Sequence, residues 1–319
     1  MTYAIVGAGA TGGFLGAHLA RTGEEVILIA RGANLAALRD RGVTVRSREA
    51  GEEFTAHPEA TDDLAAIGRA EVVFLSLKAY SIGPLAAAIG AALAPGACIV
   101  SAQNGIPWWY FRDRHLESVD PGGVIAQSIP YTSVVGCVVY PATRILEPGV
   151  IEHVEGNRFS LGEPDGSRSE RATAIAAALV KAGLKAPIQG RIRNEIWLKL
   201  LGNATLNPIS ALTRATLPEI VNSPATRELV RELMAEVDQV AQSLGVEIPL
   251  SIQKRMEGAA ATGAHRTSML QDLDAKRPLE VEALLGAVVE LAAGAEVPVP
   301  ALRTVYGLTK LLDEVNRAG

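Results

Sequence analysis

Lys199, Asn203 and Asn207 recur every four residues within an otherwise apolar stretch, "IWLKLLGNATLNP" (196–208). On one helix they would share a face, with Ile196, Leu198, Leu200, Leu201 and Leu206 around them. Such a stripe either meets solvent or lines a polar pocket. In a pocket, a lysine ammonium can hydrogen-bond a 2-oxo group and protonate it as hydride arrives. The asparagines would offer neutral donors and acceptors to the rest of the ligand. Pro208 is expected to close the helix, because the residue before a proline is pushed out of the α region. Further on, "HRTSMLQDLDAKRPLEVEALLG" (265–286) carries Ser268 near a helix boundary and Glu280 twelve residues later. A serine can hold a carboxylate, and a glutamate can orient a lysine or accept from a substrate hydroxyl. Taken singly, both also suit the surface.

A second group of residues suits a dinucleotide. "VGAGATGG" (6–13) sets Gly7, Gly9 and Gly12 as G-x-G-x-x-G, with Ala10 and Thr11 inside the motif. The glycines serve a tight turn, close backbone approach to a pyrophosphate, and close helix–strand packing. Free N–H groups at the helix start would bind the phosphates. The next strand ends "LIAR" (28–31), with Arg31 where an NAD site usually carries an acid for the ribose 2′-hydroxyl. Arginine suits a 2′-phosphate, so the expected cofactor is NADP(H). Lys78 closes "VVFLSLK" (72–78) and could add a second cation at a strand's carboxyl end. Asn104, in "IVSAQNG" (99–105), either meets the nicotinamide ribose or a substrate, or belongs to an ordinary Asn-Gly turn.

These residues need elements to hold them. The first half alternates strands (3–6, 25–30, 72–77, 97–101) with helices (13–22, 34–41, 84–93), which argues for a parallel sheet covered on both faces. Val43–Arg46 and Glu53–His57 read as a hairpin. Residues 124–162, rich in β-branched runs, read as an antiparallel extension of the same sheet. "GEPDGSRSE" (162–170) is polar and turn-rich, and helical periods follow at 171–182, 191–207, 224–244, 249–261, 277–294 and 299–316. The expected architecture is α/β, a doubly wound Rossmann-type domain (1–166) followed by an all-helical domain (167–319). A cleft between them would be the default ligand site.

Composition narrows the classes. The 319-residue chain carries a net charge of −5 and 4% aromatics, and has no long basic run, which argues against nucleic acid as a main partner. Cys98 and Cys137 lie in apolar runs and read as buried thiols. The five histidines (18, 57, 115, 153, 265) are scattered, and no metal is expected. "MTYAIVGAGATGGFLGAHLA" lacks the basic start of a signal peptide, and no run approaches the ~18 apolar residues of a membrane span. A cytoplasmic protein without a membrane partner is expected.

The motifs "GAGATG", "AR" after the second strand, "LKAY", "QNG", "WLKLLGNATLNP", and "TSMLQD" followed by "LE" occur in this order along essentially the whole chain. In them the chain resembles the ketopantoate reductase (2-dehydropantoate 2-reductase) family. The resemblance implies an NADP-binding Rossmann domain joined to a helical domain, and NADPH-dependent reduction of ketopantoate to pantoate. It implies Lys199 as general acid, and Asn203 and Asn207 as substrate and support contacts. Ser268 would bind the substrate carboxylate, and Glu280 would contact the substrate hydroxyl and the lysine. Asn104 would lie beside the nicotinamide and Lys78 on the cofactor. The chain departs from the family where Asp and Asn-Gly often follow the glutamate, holding Glu282 and Leu285-Gly286, and His265-Arg266 stand where an asparagine is sometimes found. Trp108 and Trp109 either pack the loop after "QNG" or narrow the substrate pocket. The alternatives are a reductase of the same fold for another small 2-oxo acid, and a non-catalytic NADPH-binding sensor. A homodimer through the helical domain is the preferred assembly.

Overall fold

The computed structural model describes residues 1–263 and 266–318. Among the described residues there are eleven strands: β1 (Thr2–Val6), β2 (Glu25–Ile29), β3 (Val43–Ser47), β4 (Glu52–Ala56), β5 (Glu59–Thr61), β6 (Val72–Leu75), β7 (Cys98–Ser101), β8 (Val134–Val139), β9 (Ala142–Glu147), β10 (Val150–Glu155) and β11 (Phe159–Gly162). Seven form one sheet in the order β11-β8-β7-β6-β1-β2-β5. All neighbours are parallel except β11, which runs antiparallel to β8. The apolar runs of β6, β7 and β8 are buried throughout, as expected of strands covered on both faces. The chain reverses direction across the sheet between β1 and β6, the switch point at which ligands bind in such folds.

The hairpin expected over residues 43–57 is present as β3 and β4. The antiparallel extension expected over 124–162 is only partly so. Its first residues, Val124–Ser128, are helical, β8 continues the sheet in parallel, and only β11 is antiparallel to it. β9 and β10 leave to form a second sheet, β4-β3-β10-β9, in which β10 runs parallel to β3. Burial explains the departure. β9 is largely exposed and has no second face to cover, whereas Ile151 of β10 and Val43 of β3 both lie against Gly13 of the helix Ala10–Arg21.

Contacts divide the chain into two compact units: Met1–Gln103, Trp109–Asp113 and Gly122–Ile192, and Asn104–Trp108, Arg114–Pro121 and Arg193–Gly319. The expected edge at residue 166 lies within the first unit. The helix Glu170–Lys181 buries Ala172, Ile175 and Leu179 in the same core as Phe14 and Leu28. Beyond it, residues 185–189 bond along β11, through Phe159 N–H to the Lys185 carbonyl and Gln189 N–H to the Leu161 carbonyl.

The second unit is mostly helical. The single helix expected over 191–207 is two, Ile192–Asn203 and Leu206–Thr213. Thr205 turns its hydroxyl back to the Leu201 carbonyl at 2.7 Å. Pro208 falls in the first turn of the second helix, where its missing N–H has no intrahelical partner to lose; it helps open a helix and does not close one. The expected helix over 277–294 is likewise reduced to a π-turn, Glu282–Gly286, continuing as Ala287–Gly294. The long helices are Pro224–Ser243 and Pro300–Ala318. No described helix is long and apolar enough to cross a membrane.

Candidate active site

Within the first unit, the turn from β1 into the helix Ala10–Arg21 has the shape that the glycine spacing requires. Gly7 adopts φ +99°, and a Cβ there would press on Leu77. A Cβ at Gly12 would collide with the Gly7 carbonyl and the Ser76 hydroxyl, so close packing of helix on strand demands glycine. At Gly9 the Cβ direction is open, with no atom within 4 Å. That leaves free approach to the N-terminus of the helix opened by Ala10 and Thr11.

A pocket of about 470 Å³ lies at this turn, lined among others by Gly7, Gly9, Arg31, Asn34, Asp62 and Tyr80. Arg31 reaches it from the end of β2, where it precedes the helix Gly32–Arg41. Lys78 precedes the short turn Ala79–Ser81, whose Tyr80 and Ser81 line the same pocket. A dinucleotide's phosphates suit this donor set, with the open helix terminus at Gly9 and the guanidinium of Arg31.

Two residues of this pocket carried no sequence signal. Asn34 donates to the Ala8 carbonyl at 2.7 Å and accepts from Gly149 N–H at 3.0 Å, pinning the glycine turn. Asp62 places an acid on the pocket wall, but from the end of β5 and not β2, and paired with Arg39 at 3.2 Å. A lone Asn inside a helix and an Asp in a loop look like ordinary surface residues until the strand order is known.

Within the second unit, three of the expected residues meet. Lys199 Nζ donates to Asn104 Oδ1 at 2.6 Å, and Asn104 Nδ2 donates to Glu280 Oε2 at 3.4 Å. Glu280 is only 6% exposed, and its backbone carbonyl accepts from Leu284 N–H at the start of the turn that follows. In the first unit, Gln103, the residue before Asn104, accepts from the Ser101 hydroxyl at 2.5 Å and donates to the Leu75 carbonyl. A cationic donor, a neutral amide and a buried carboxylate thus form one chain.

The other expected residues are distributed differently. Asn203 is half-buried one turn beyond Lys199 on the same helix, while Asn207 is buried on the next helix, beyond the break. Ser268 is exposed and opens the helix Ser268–Asp274, which Thr267 caps by accepting from Leu270 N–H.

The departures from the family pattern acquire physical roles. Glu282 accepts from the Tyr306 hydroxyl at 2.9 Å and pairs with Lys310 at 3.0 Å, so it is tied to the last helix. Trp108 and Trp109 are buried, and the Trp109 ring lies against Gly136 of β8. Of their two readings, loop packing is the one the structure supports. His265 lies outside the described residues.

Comparison with known proteins identifies the family. Residues 3–166 match the family model "Ketopantoate reductase PanE/ApbA", and residues 191–313 match its C-terminal counterpart. A 2-dehydropantoate 2-reductase of Mesorhizobium japonicum is 46% identical over 98% of each chain. One from Halobacterium salinarum is 28% identical over 98% of each. The solved structure of a candidate ketopantoate reductase of Ralstonia solanacearum MolK2 superposes with a TM-score of 0.93 at 40% identity, covering 99% of this chain and 98% of that one. The chain belongs to the ketopantoate reductase family of NAD(P)-dependent oxidoreductases that act on small 2-oxo acids.

Proposed function

We propose that the protein reduces ketopantoate to pantoate with NADPH, with Lys199 as the proton donor. The observation that carries this reading is the Lys199–Asn104–Glu280 chain. C2 of the 2-oxo acid would take the hydride that a reduced nicotinamide supplies when bound. Lys199 hydrogen-bonds the 2-oxo oxygen and gives it a proton as negative charge develops there. Before that, the Asn104 amide oxygen holds the ammonium in one orientation. Glu280 accepts from the Asn104 amide and, in this reading, from a substrate hydroxyl. Ser268 takes the substrate carboxylate, Asn203 adds a polar contact, and the buried Asn207 supports the wall behind it.

NADPH is preferred in this reading because Arg31 lines the pocket and no acid stands at the end of β2. Gly7, Gly9, Ala10, Thr11 and Gly12 would receive the pyrophosphate, and Lys78 would add charge nearby. Ketopantoate is the preferred substrate because the Mesorhizobium relative of that activity aligns over nearly the whole of both chains. A cytoplasmic setting accords with Cys98 and Cys137, both buried and neither in a disulfide, burial pushing the Cys98 thiol up to about 11. A homodimer accords with the exposed Leu308, Leu311 and Val315 on one face of the last helix.

The test is Lys199→Ala, assayed by loss of reduced-nicotinamide absorbance with ketopantoate and by direct titration of NADPH. A fall in kcat of about 10²–10⁴-fold, with cofactor affinity changed by less than about twofold, is expected of a lost proton donor. Unchanged turnover would rule the role out.

A further inference from the structure

The carboxylate of Glu280 stands just before a turn wound wider than an α-helix. Across Glu282–Gly286 the helix is π-type, and the Ala287 N–H reaches back five residues to the Glu282 carbonyl. The amide that α-helical spacing would bring to the Ala283 carbonyl is therefore directed elsewhere. That carbonyl accepts from the Ile106 N–H at 2.9 Å. Gly105, between Asn104 and Ile106, sits directly on it. Its φ is +82°, and an added Cβ would run into the Ala283 oxygen and lie 2.6 Å from the carbonyl carbon. Only glycine meets both conditions.

An ordinary Asn-Gly turn requires the positive φ alone. Here the residue also closes against a carbonyl far along the chain, exposed by a π-turn that begins two residues after Glu280. One residue before the glycine is the amide that bonds both Lys199 and Glu280. We propose that Gly105 and the Ala283 carbonyl form a backbone latch that holds the Asn104 side chain between Lys199 and Glu280. Gly105 is thus a positioning residue for the reduction. The inference rests on reading Lys199 as the proton donor. The latch fixes the Asn104 backbone within one residue of its side chain, so the amide presents its oxygen to the ammonium without a search over loop conformers. It also ties that amide to the turn that begins two residues after Glu280, so Asn104 and Glu280 keep their separation.

The experiment joins amide hydrogen exchange to a double-mutant cycle. In the wild-type protein without ligands, the Ile106 amide is expected to be protected, and to remain protected in Asn104→Ala, because the backbone holds the side chain and not the reverse. Free exchange of Ile106 in the wild type, or loss of its protection in Asn104→Ala, would overturn the latch even if Gly105→Ala failed to fold. In kinetics, Gly105→Ala is expected to lower kcat at least about tenfold, with NADPH affinity changed less than about twofold. In the Asn104→Ala background the same substitution should cost less than about twofold, since the group it positions is gone. An equal loss in both backgrounds would make Gly105 purely structural and overturn the proposal. Wild-type turnover of ketopantoate is measured alongside. Its absence would count against the substrate, while the exchange data would still judge the latch.

Discussion

An ammonium 2.6 Å from an amide oxygen is a strong, charge-assisted contact, and it marks Lys199 as placed rather than merely solvated. The candidate site residues were legible in the sequence because each conflicts with its surroundings. A lysine in an apolar segment, an arginine where an acid is usual, and glycines at fixed spacing all stand out. Residues whose types fit their local setting were not legible. Asn34 holds the glycine turn from within a helix, and Asp62 reaches the pocket only through the order of β5 beside β2. Arg31 yields the sharpest test at this scale. Arg31→Ala should reduce the preference for NADPH over NADH by about tenfold, near 1.4 kcal/mol of differential binding. Parallel kcat/KM measurements with the two cofactors check it, and an unchanged ratio would remove Arg31 from cofactor selection.

Elements were legible where periodicity is long and unbroken. The parallel strands and the helices Glu170–Lys181, Pro224–Ser243 and Pro300–Ala318 follow directly from it. The break at Ala204-Thr205 and the π-turn at Glu282–Gly286 were not, because a single hydroxyl–carbonyl bond or one extra residue per turn leaves apolar spacing almost intact. The strands β9 and β10 were misread because β3, the strand that β10 joins and through which β9 enters the second sheet, lies about a hundred residues earlier. Helix ends also depend on remote side chains. Glu236, buried on the helix Pro224–Ser243, accepts from Ala301 and Leu302 N–H at the start of the last helix. Glu236→Ala should cost about 1–3 kcal/mol by leaving those donors without their carboxylate, read as a lower midpoint in urea with an unchanged slope. His18 is the equivalent bridge in the first unit, where its Nδ1–H donates to the Ala182 carbonyl at 3.0 Å beside the Phe14 ring. Burial, opposed by that hydrogen bond, holds its pKa below the ordinary histidine value. The unfolded chain therefore takes up this proton at higher pH than the native one does. The stabilisation is complete above the usual imidazole range, is lost as pH falls through it, and levels off below the native pKa. Melting temperature should decline between about pH 7 and pH 5, less so in His18→Gln; identical declines would acquit His18.

At the scale of the whole molecule, an alternating strand–helix half followed by a helical half was legible, and the family with it. The compact units themselves are less simple than one cut in the chain, since residues 104–108 and 114–121 belong with the helical unit. No composition shift marks those short segments, because they are assigned by packing and not by residue type. Asn104 owes its place beside Lys199 to this arrangement. Assembly is a property at this scale too. The exposed Leu308, Leu311 and Val315 lead to the expectation of a dimer by light scattering, converted to monomer by Leu311→Glu; a wild-type monomer would dismiss it. The most direct test of the central claim is steady-state reduction of ketopantoate by the purified protein, with NADPH and NADH in parallel. Turnover with NADPH, clearly preferred over NADH, is the result expected. NADPH binding without turnover of ketopantoate would contradict it.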